Sequence, residues 1–179
     1  MKPVCLVIGA GAGIGGNVAK KFASEGYHSV LCRRTDQEGL DRMVSEIESS
    51  GGSASGYLLN AVDENSIEER ITEVEKDVGG IDTLIFNLGA QIGDRSLENT
   101  SYKAFEMGWR MACFALFRTA STVCPYMEER GKGSILVTSA TAAVRGNAGQ
   151  HSHAAAMGGR RMLCCLLYTS DAADEGLGV

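Results

Sequence analysis

The stretch Val4-Cys5-Leu6-Val7-Ile8-Gly9-Ala10-Gly11-Ala12-Gly13-Ile14-Gly15-Gly16 decides how the rest of the chain is read. Val4–Ile8 is a continuous apolar run of strand length, which predicts a strand buried on both faces. Glycines follow at once, and then Ile14, Val18 and Phe22 recur every fourth residue, the spacing of one helix face, up to Gly26. The glycines fit G-x-x-x-G-x-G (Gly9, Gly13, Gly15) and also G-x-G-x-x-G (Gly11, Gly13, Gly16). A backbone without Cβ atoms turns sharply and lets a pyrophosphate reach the unpaired N–H groups of a helix N-terminus. A merely flexible turn shows glycines too; it is their place after the first strand of a βαβ unit that points to a dinucleotide.

Outward from this unit the alternation continues. Strands are predicted at 29–32, 56–60, 81–86 and 135–138. Helices are predicted from Leu40, Met43, Val44 and Ile47, from Ile67, Ile71, Val74 and Val78, over about 102–129, and from about Ser152. Apolar strands in strict βαβα order predict an α/β fold: a Rossmann-type doubly wound parallel sheet, single domain, with ligands at the carboxyl ends of the strands. Five strands are read and at least one more is expected. The second strand runs into Arg33-Arg34, where a site preferring NAD places an acid for the ribose 2′-hydroxyl. Two guanidinium groups suit a 2′-phosphate, so NADP(H) is expected over NAD(H). The alternative is that both arginines are solvated loop charges.

At 179 residues the chain is long enough for one well-buried core, and its 44% hydrophobic, 22% charged composition is that of a globular protein. A net charge of -5 argues against nucleic acid or an anionic membrane as main partner. No apolar run approaches a membrane span, and Val4–Ile8 is too short for a signal-peptide core and reads as a buried strand. The six cysteines lack C-x-x-C spacing and lie mostly in apolar segments, as packing thiols of a reducing, cytoplasmic compartment do.

Over residues 3 to about 164 the chain resembles the short-chain dehydrogenase/reductase family. The marks are Gly9, Gly13 and Gly15, Asn60 after the third strand, Asn87-Leu88-Gly89-Ala90 in place of the family's N-N-A-G turn, and 133–139 as its fifth strand. The resemblance implies cofactor binding by Gly9, Gly13, Ile14, Gly15, Arg33, Arg34, Asn60, Asn87 and Gly89, with Asn60 at the adenine. It implies an oxidoreductase acting on a small carbonyl or alcohol substrate, and a homo-oligomer packed through the long helix.

The family's catalytic residues are Asn, Ser, Tyr and Lys: Tyr donates the proton, and Lys lowers its pKa and holds the nicotinamide ribose. By motif, Tyr-x-x-x-Lys falls on His153-Ala154-Ala155-Ala156-Met157, Ser on Ala140 between Ser139 and Thr141, and Asn near Ala112. All four positions differ, which argues against ordinary carbonyl reduction. The other reading is an NADP-dependent oxidoreductase with His153 as acid/base group, since imidazole titrates near neutral pH, and with Ser139 as substitute hydroxyl.

Smaller features are read plainly. His151-Ser152-His153 is taken as a polar helix start and not a metal site, Phe105 and Trp109 as core or a dimer face, and Arg160-Arg161 as facing solvent. Residues 165–175 read as the translation of a transposon-end sequencing adaptor, with 176–179 as flanking bases. The expectation is therefore an incomplete NAD(P)-binding Rossmann domain over 1–164, with 165–179 not native and the last strand or strands missing.

Overall fold

The computed structural model describes residues 2–89, 96–146 and 148–174, with side chains through Leu167. The chain separates into two compact units, residues 1–88 with 118–138 and residues 89–117 with 139–179.

The first unit holds the sheet. Its strands are β1 (Val4–Ile8), β2 (His28–Arg33), β3 (Ser53–Leu58), β4 (Ile81–Phe86) and β5 (Ser134–Val137), all parallel, in the order β3-β2-β1-β4-β5. Its helices are α1 (Ile14–Ser24), α2 (Gln37–Ser49), α3 (Ser66–Glu73), which runs into a π turn Val74–Val78, and most of α5 (Ala115–Arg130). The chain winds outward from β1 through β2 to β3 and then returns to β4 on the other side. The expected Rossmann-type arrangement is present, with its switch point between β1 and β4.

Parity explains why the strands carry no polar alternation. Cys5, Val7, Leu31, Ala54 and Ile85 form one cluster with Ala19 and Ala23 of α1 and Leu40, Met43 and Ile47 of α2. Leu6, Ile8, Val30, Cys32, Leu84 and Phe86, of opposite parity, are equally buried, so the second face is covered too. The residues that α3 and α5 bury include Ile67, Ile71, Ala120 and Val123. Arg118 secures α5 to α3 with a two-pronged pair to Glu68 (2.8 and 2.5 Å) and a bond to the Ala61 carbonyl (3.0 Å). β5 is an edge strand, and its Leu136 is 48% exposed.

Two expectations from periodicity are corrected here. The buried face of α1 is Gly15, Gly16, Ala19 and Ala23, not the Ile14 stripe. Small residues let the helix axis approach the sheet closely, which leaves Val18 and Phe22 on the flank of the cluster and Ile14 63% exposed. The third strand starts at Ser53, three residues before the predicted Gly56. Its Ser-Ala-Ser-Gly opening has no apolar run, and pairing with β2 makes it a strand.

The second unit contains α4 (Tyr102–Trp109), a π turn Arg110–Phe114, a 3₁₀ turn Thr141–Ala143 and α6 (His151–Asp174). Its apolar centre is small: Ala112, Ala156 and Met157, with Ala140 and Ala143 packed against them. Among the described residues no helix is long and apolar enough to cross a membrane.

Candidate functional site

The glycine loop occupies the end of β1, on the switch-point side of the sheet. Gly9 has φ +96°, a left-handed backbone that favours glycine, and this turns the chain away from the strand. Both Gly9 N–H and Ala10 N–H donate to the Cys32 carbonyl at the end of β2 (2.9 and 2.8 Å). Asn87, the first residue after β4, donates its side-chain amide to the Gly9 carbonyl (3.0 Å) and its backbone N–H to Ile8 (2.8 Å). The loop is thus held from both neighbouring strands.

The glycines then divide by what a Cβ would meet. At Gly9 it would lie 2.6 Å from the Asn87 carbonyl oxygen, at Gly15 2.2 Å from the Gly9 oxygen, and at Gly16 2.6 Å from the Gly11 oxygen. These three are demanded by the protein's own backbone. At Gly11 and Gly13 a Cβ would meet nothing within 4 Å. Gly13 is the N-cap of α1; no side chain caps the helix there, and its first turn holds no acid. Gly16 N–H donates to the Gly11 carbonyl (2.8 Å), and the space beside a helix N-terminus without a side-chain cap fits an anionic pyrophosphate.

The predicted arginines differ from each other. Arg34 is exposed, whereas Arg33 pairs with Asp36 (3.0 Å). Asp36 has φ +70° and accepts the Gly39 N–H (2.9 Å), capping α2. Asn60 donates its amide to Asp63 (2.8 Å), while its carbonyl accepts from the Ser66 hydroxyl (2.7 Å), so it organises the start of α3. Around Gly89 a Cβ would find open space. Ala90, the last residue of the predicted turn, lies outside the described residues.

The second unit holds the residues expected by motif at the family's catalytic positions. Ala112 and Met157 sit in one apolar cluster with Ala140 packed against it, and His153 lies one turn before Met157 on α6. His153 is 5% exposed and Ser152 2%, so the expected polar helix start is corrected: only His151 faces solvent. The physical reason is that α6 buries the stripe 152, 153, 156, 157 and 160. Ser139 is exposed.

That stripe also overturns the solvent reading of Arg160, though Arg161 is exposed as expected. Arg160 is 1% exposed and donates Nε–H to the Ala112 carbonyl (2.9 Å), within the π turn. A π turn breaks the regular i to i−4 ladder, and this carbonyl finds its donor from a neighbouring helix. Burial holds the Arg160 guanidinium down to about 10. Phe105 and Trp109 are not core; each is 43% exposed. Trp109 instead stacks on Phe114, five residues on, with ring centroids 5.7 Å apart. Five-residue spacing aligns side chains on a π turn but not on an α-helix.

Sequence reasoning missed Asp36, the Cys32 carbonyl and buried Arg160. Asp36 carried a signal, an acid at the N-cap position before α2. Arg160 carried one too, at i+7 from His153 and i+3 from Met157. The Cys32 carbonyl carried none, because any residue has one. Cys5 and Cys32 are pushed up to about 12 by burial and are packing thiols, not nucleophiles.

The sequence profile of the family described as "short chain dehydrogenase" matches residues 3–174. The 3-oxoacyl-(acyl-carrier-protein) reductase of Thermotoga maritima is 33% identical over 156 residues, covering 87% of this chain and 63% of the relative. A crystal structure of a short-chain dehydrogenase from Rhodopseudomonas palustris superposes with a TM-score of 0.84 at 34% identity, over 89% of this chain and 74% of that one. The structure of actinorhodin polyketide ketoreductase with NADPH gives 0.82 at 26% identity, over 88% and 60%. The chain spans 45–63% of the length of the first curated relatives it matches.

Proposed function

The chain belongs to the short-chain dehydrogenase family, and from that premise we propose that it is an NADP(H)-binding member that has lost ordinary carbonyl-reductase chemistry. The family's fold binds a nicotinamide dinucleotide, which when bound supplies a hydride. In this chain the pyrophosphate would be held by Gly9, Gly13, Ile14 and Gly15 at the N-terminus of α1, with Asn87 holding the loop in shape. Arg33 and Arg34 would take a 2′-phosphate, and Asn60 and Gly89 would line the remainder of the nucleotide. The open space at Gly11 and Gly13 and the lack of a side-chain cap on α1 support this reading.

One observation carries the loss of chemistry. The positions aligned with the family's Asn, Ser and Lys are Ala112, Ala140 and Met157, and all three belong to one apolar cluster. None can donate a hydrogen bond or bear a charge through its side chain. A thioether cannot hold a ribose hydroxyl, and it cannot lower a neighbour's pKa. The imidazole of His153 is the single titratable side chain left among the four positions, so residual hydride transfer would need it.

The test is in two parts. Calorimetric titration with NADPH and NADH is expected to show tighter NADPH binding. Nicotinamide absorbance followed over a panel of ketones and secondary alcohols is expected to show no turnover above background. Turnover abolished by His153→Phe would replace this reading with that of a His153-dependent oxidoreductase. Failure of both nucleotides to bind at millimolar concentration would remove the cofactor assignment.

A further inference from the structure

We infer that Asp36 is a specificity-determining residue that competes with the 2′-phosphate for Arg33, acting as an intramolecular stand-in for the ligand. This rests on the NADP(H) reading above.

The geometry is built for a carboxylate in this place. Arg33 is the last residue of β2, its backbone carbonyl fixed by the Leu59 N–H (2.8 Å). Its guanidinium NH2 meets Asp36 Oδ2 at 3.0 Å, and Asp36 Oδ1 accepts the Gly39 N–H at 2.9 Å. Both carboxylate oxygens are therefore engaged, one by the arginine and the other by the helix. Asp36 reaches this position by taking φ +70°, a conformation that Asp and Asn adopt more readily than other side chains. Gly39 makes room: a Cβ there would lie 2.3 Å from Asp36 Oδ2 and 2.7 Å from Arg33 NH1. Two unusual choices, a left-handed Asp and a glycine in the first turn of α2, converge on one ion pair.

The consequence follows from the chemistry of the guanidinium. Its planar fork recognises carboxylate and phosphate oxygens in the same way. A 2′-phosphate reaching Arg33 must displace the Asp36 carboxylate or share the guanidinium with it, and the two anions repel. A ribose 2′-hydroxyl carries no charge and gains nothing by displacing it. Asp36 therefore weakens NADPH selectively and narrows the preference that Arg33 and Arg34 create. The pair is partly exposed, with side chains 21% and 52% accessible, so the effect is modest and falls with salt.

Asp36→Asn separates charge from structure, because Asn tolerates the left-handed backbone and caps helices as well as Asp does. Calorimetric titration of the Asp36→Asn protein is expected to tighten NADPH binding by about two- to fivefold at low salt, with NADH unchanged within about 1.5-fold. The gain is expected to shrink at high salt. Weaker NADPH binding in Asp36→Asn would mean that Asp36 orients Arg33 for phosphate, and would overturn the inference. Unchanged NADPH binding in Asp36→Asn, together with at least tenfold weakening in Arg33→Met, would overturn it while leaving the NADP(H) reading intact. NADPH binding indifferent to Arg33→Met would remove that reading, and the competition with it.

Discussion

Gly15→Ala and Gly13→Ala make opposite demands on the same loop, and together they test the division drawn between its glycines. In Gly15→Ala the new Cβ lies 2.2 Å from the Gly9 carbonyl oxygen, 2.9 Å from the Asn87 amide nitrogen and 3.0 Å from Ala10 Cα. Two of these contacts are backbone and cannot swing aside. Overpacking of this kind costs about 1–3 kcal/mol, while replacing Gly by Ala inside a helix returns about 0.5–1 kcal/mol. The net expectation is a loss of about 1–2 kcal/mol, the steric effect winning. For a chain of this length that lowers the melting temperature by about 2–8 °C. In Gly13→Ala the Cβ meets nothing, and the loss of a favourable N-cap costs no more than about 1 kcal/mol. Its effect is expected on binding instead, since the methyl group occupies the space left for the pyrophosphate. Thermal denaturation followed by circular dichroism, and NADPH titration of each variant, read the two effects separately. A Gly15→Ala protein as stable as the parent would refute the steric argument. A Gly13→Ala protein that binds NADPH with parental affinity would refute the assignment of that space.

Met157→Lys places a cation in an apolar setting beside Ala112 and Ala156. It is expected to destabilise the fold by about 2 kcal/mol or more, read by urea denaturation; unaltered stability would show that water reaches position 157. Arg160→Met removes the donor to the Ala112 carbonyl and is expected to cost about 1–3 kcal/mol. Because Trp109 is the only tryptophan and stacks on Phe114 across the π turn, its emission should shift in the same variant; an unchanged spectrum would show that the turn does not depend on Arg160. His28, whose ring nitrogens meet the Ser53 and Ser55 hydroxyls at 2.7 and 3.0 Å, is held below the ordinary histidine value of 6.5 by burial and then by Lys2, against a smaller opposing pull from Glu48. The folded state thus disfavours the proton, so stability is full above about pH 6.5 and falls as pH drops below it. His28→Gln should flatten that slope in urea denaturation between pH 7.5 and about 5.5, and an identical slope would exclude His28 as its source.

The order of strands and helices was legible because the evidence for it is local. Val4–Ile8 and Ile81–Phe86 are apolar runs that parallel pairing buries on both sides, and Leu40, Met43 and Ile47 mark a helix face that lies as predicted. Where a helix lies closest to the sheet the rule inverted: α1 docks by its glycines and alanines, so the large residues that periodicity selects are the peripheral ones. The Ser53 start of β3 was illegible for a related reason, since its strand character comes from the neighbour it pairs with.

By itself the sequence determined the residue types of the candidate site: glycines after β1, arginines at the end of β2, and Ala112, Ala140, His153 and Met157 at the positions read by motif. These are chemical facts that no folding can change. Only the tertiary structure decided how those residues are spent. It turned Asn87 toward the Gly9 carbonyl, paired Arg33 with Asp36, drew Ala112, Ala140 and Met157 into one apolar cluster, and buried Arg160 against a π-turn carbonyl. The physical reason is that hydrogen bonds and burial are pairwise between residues up to 78 positions apart in the chain, and which groups meet is set by the packing of whole strands and helices, not by any window of neighbouring residues.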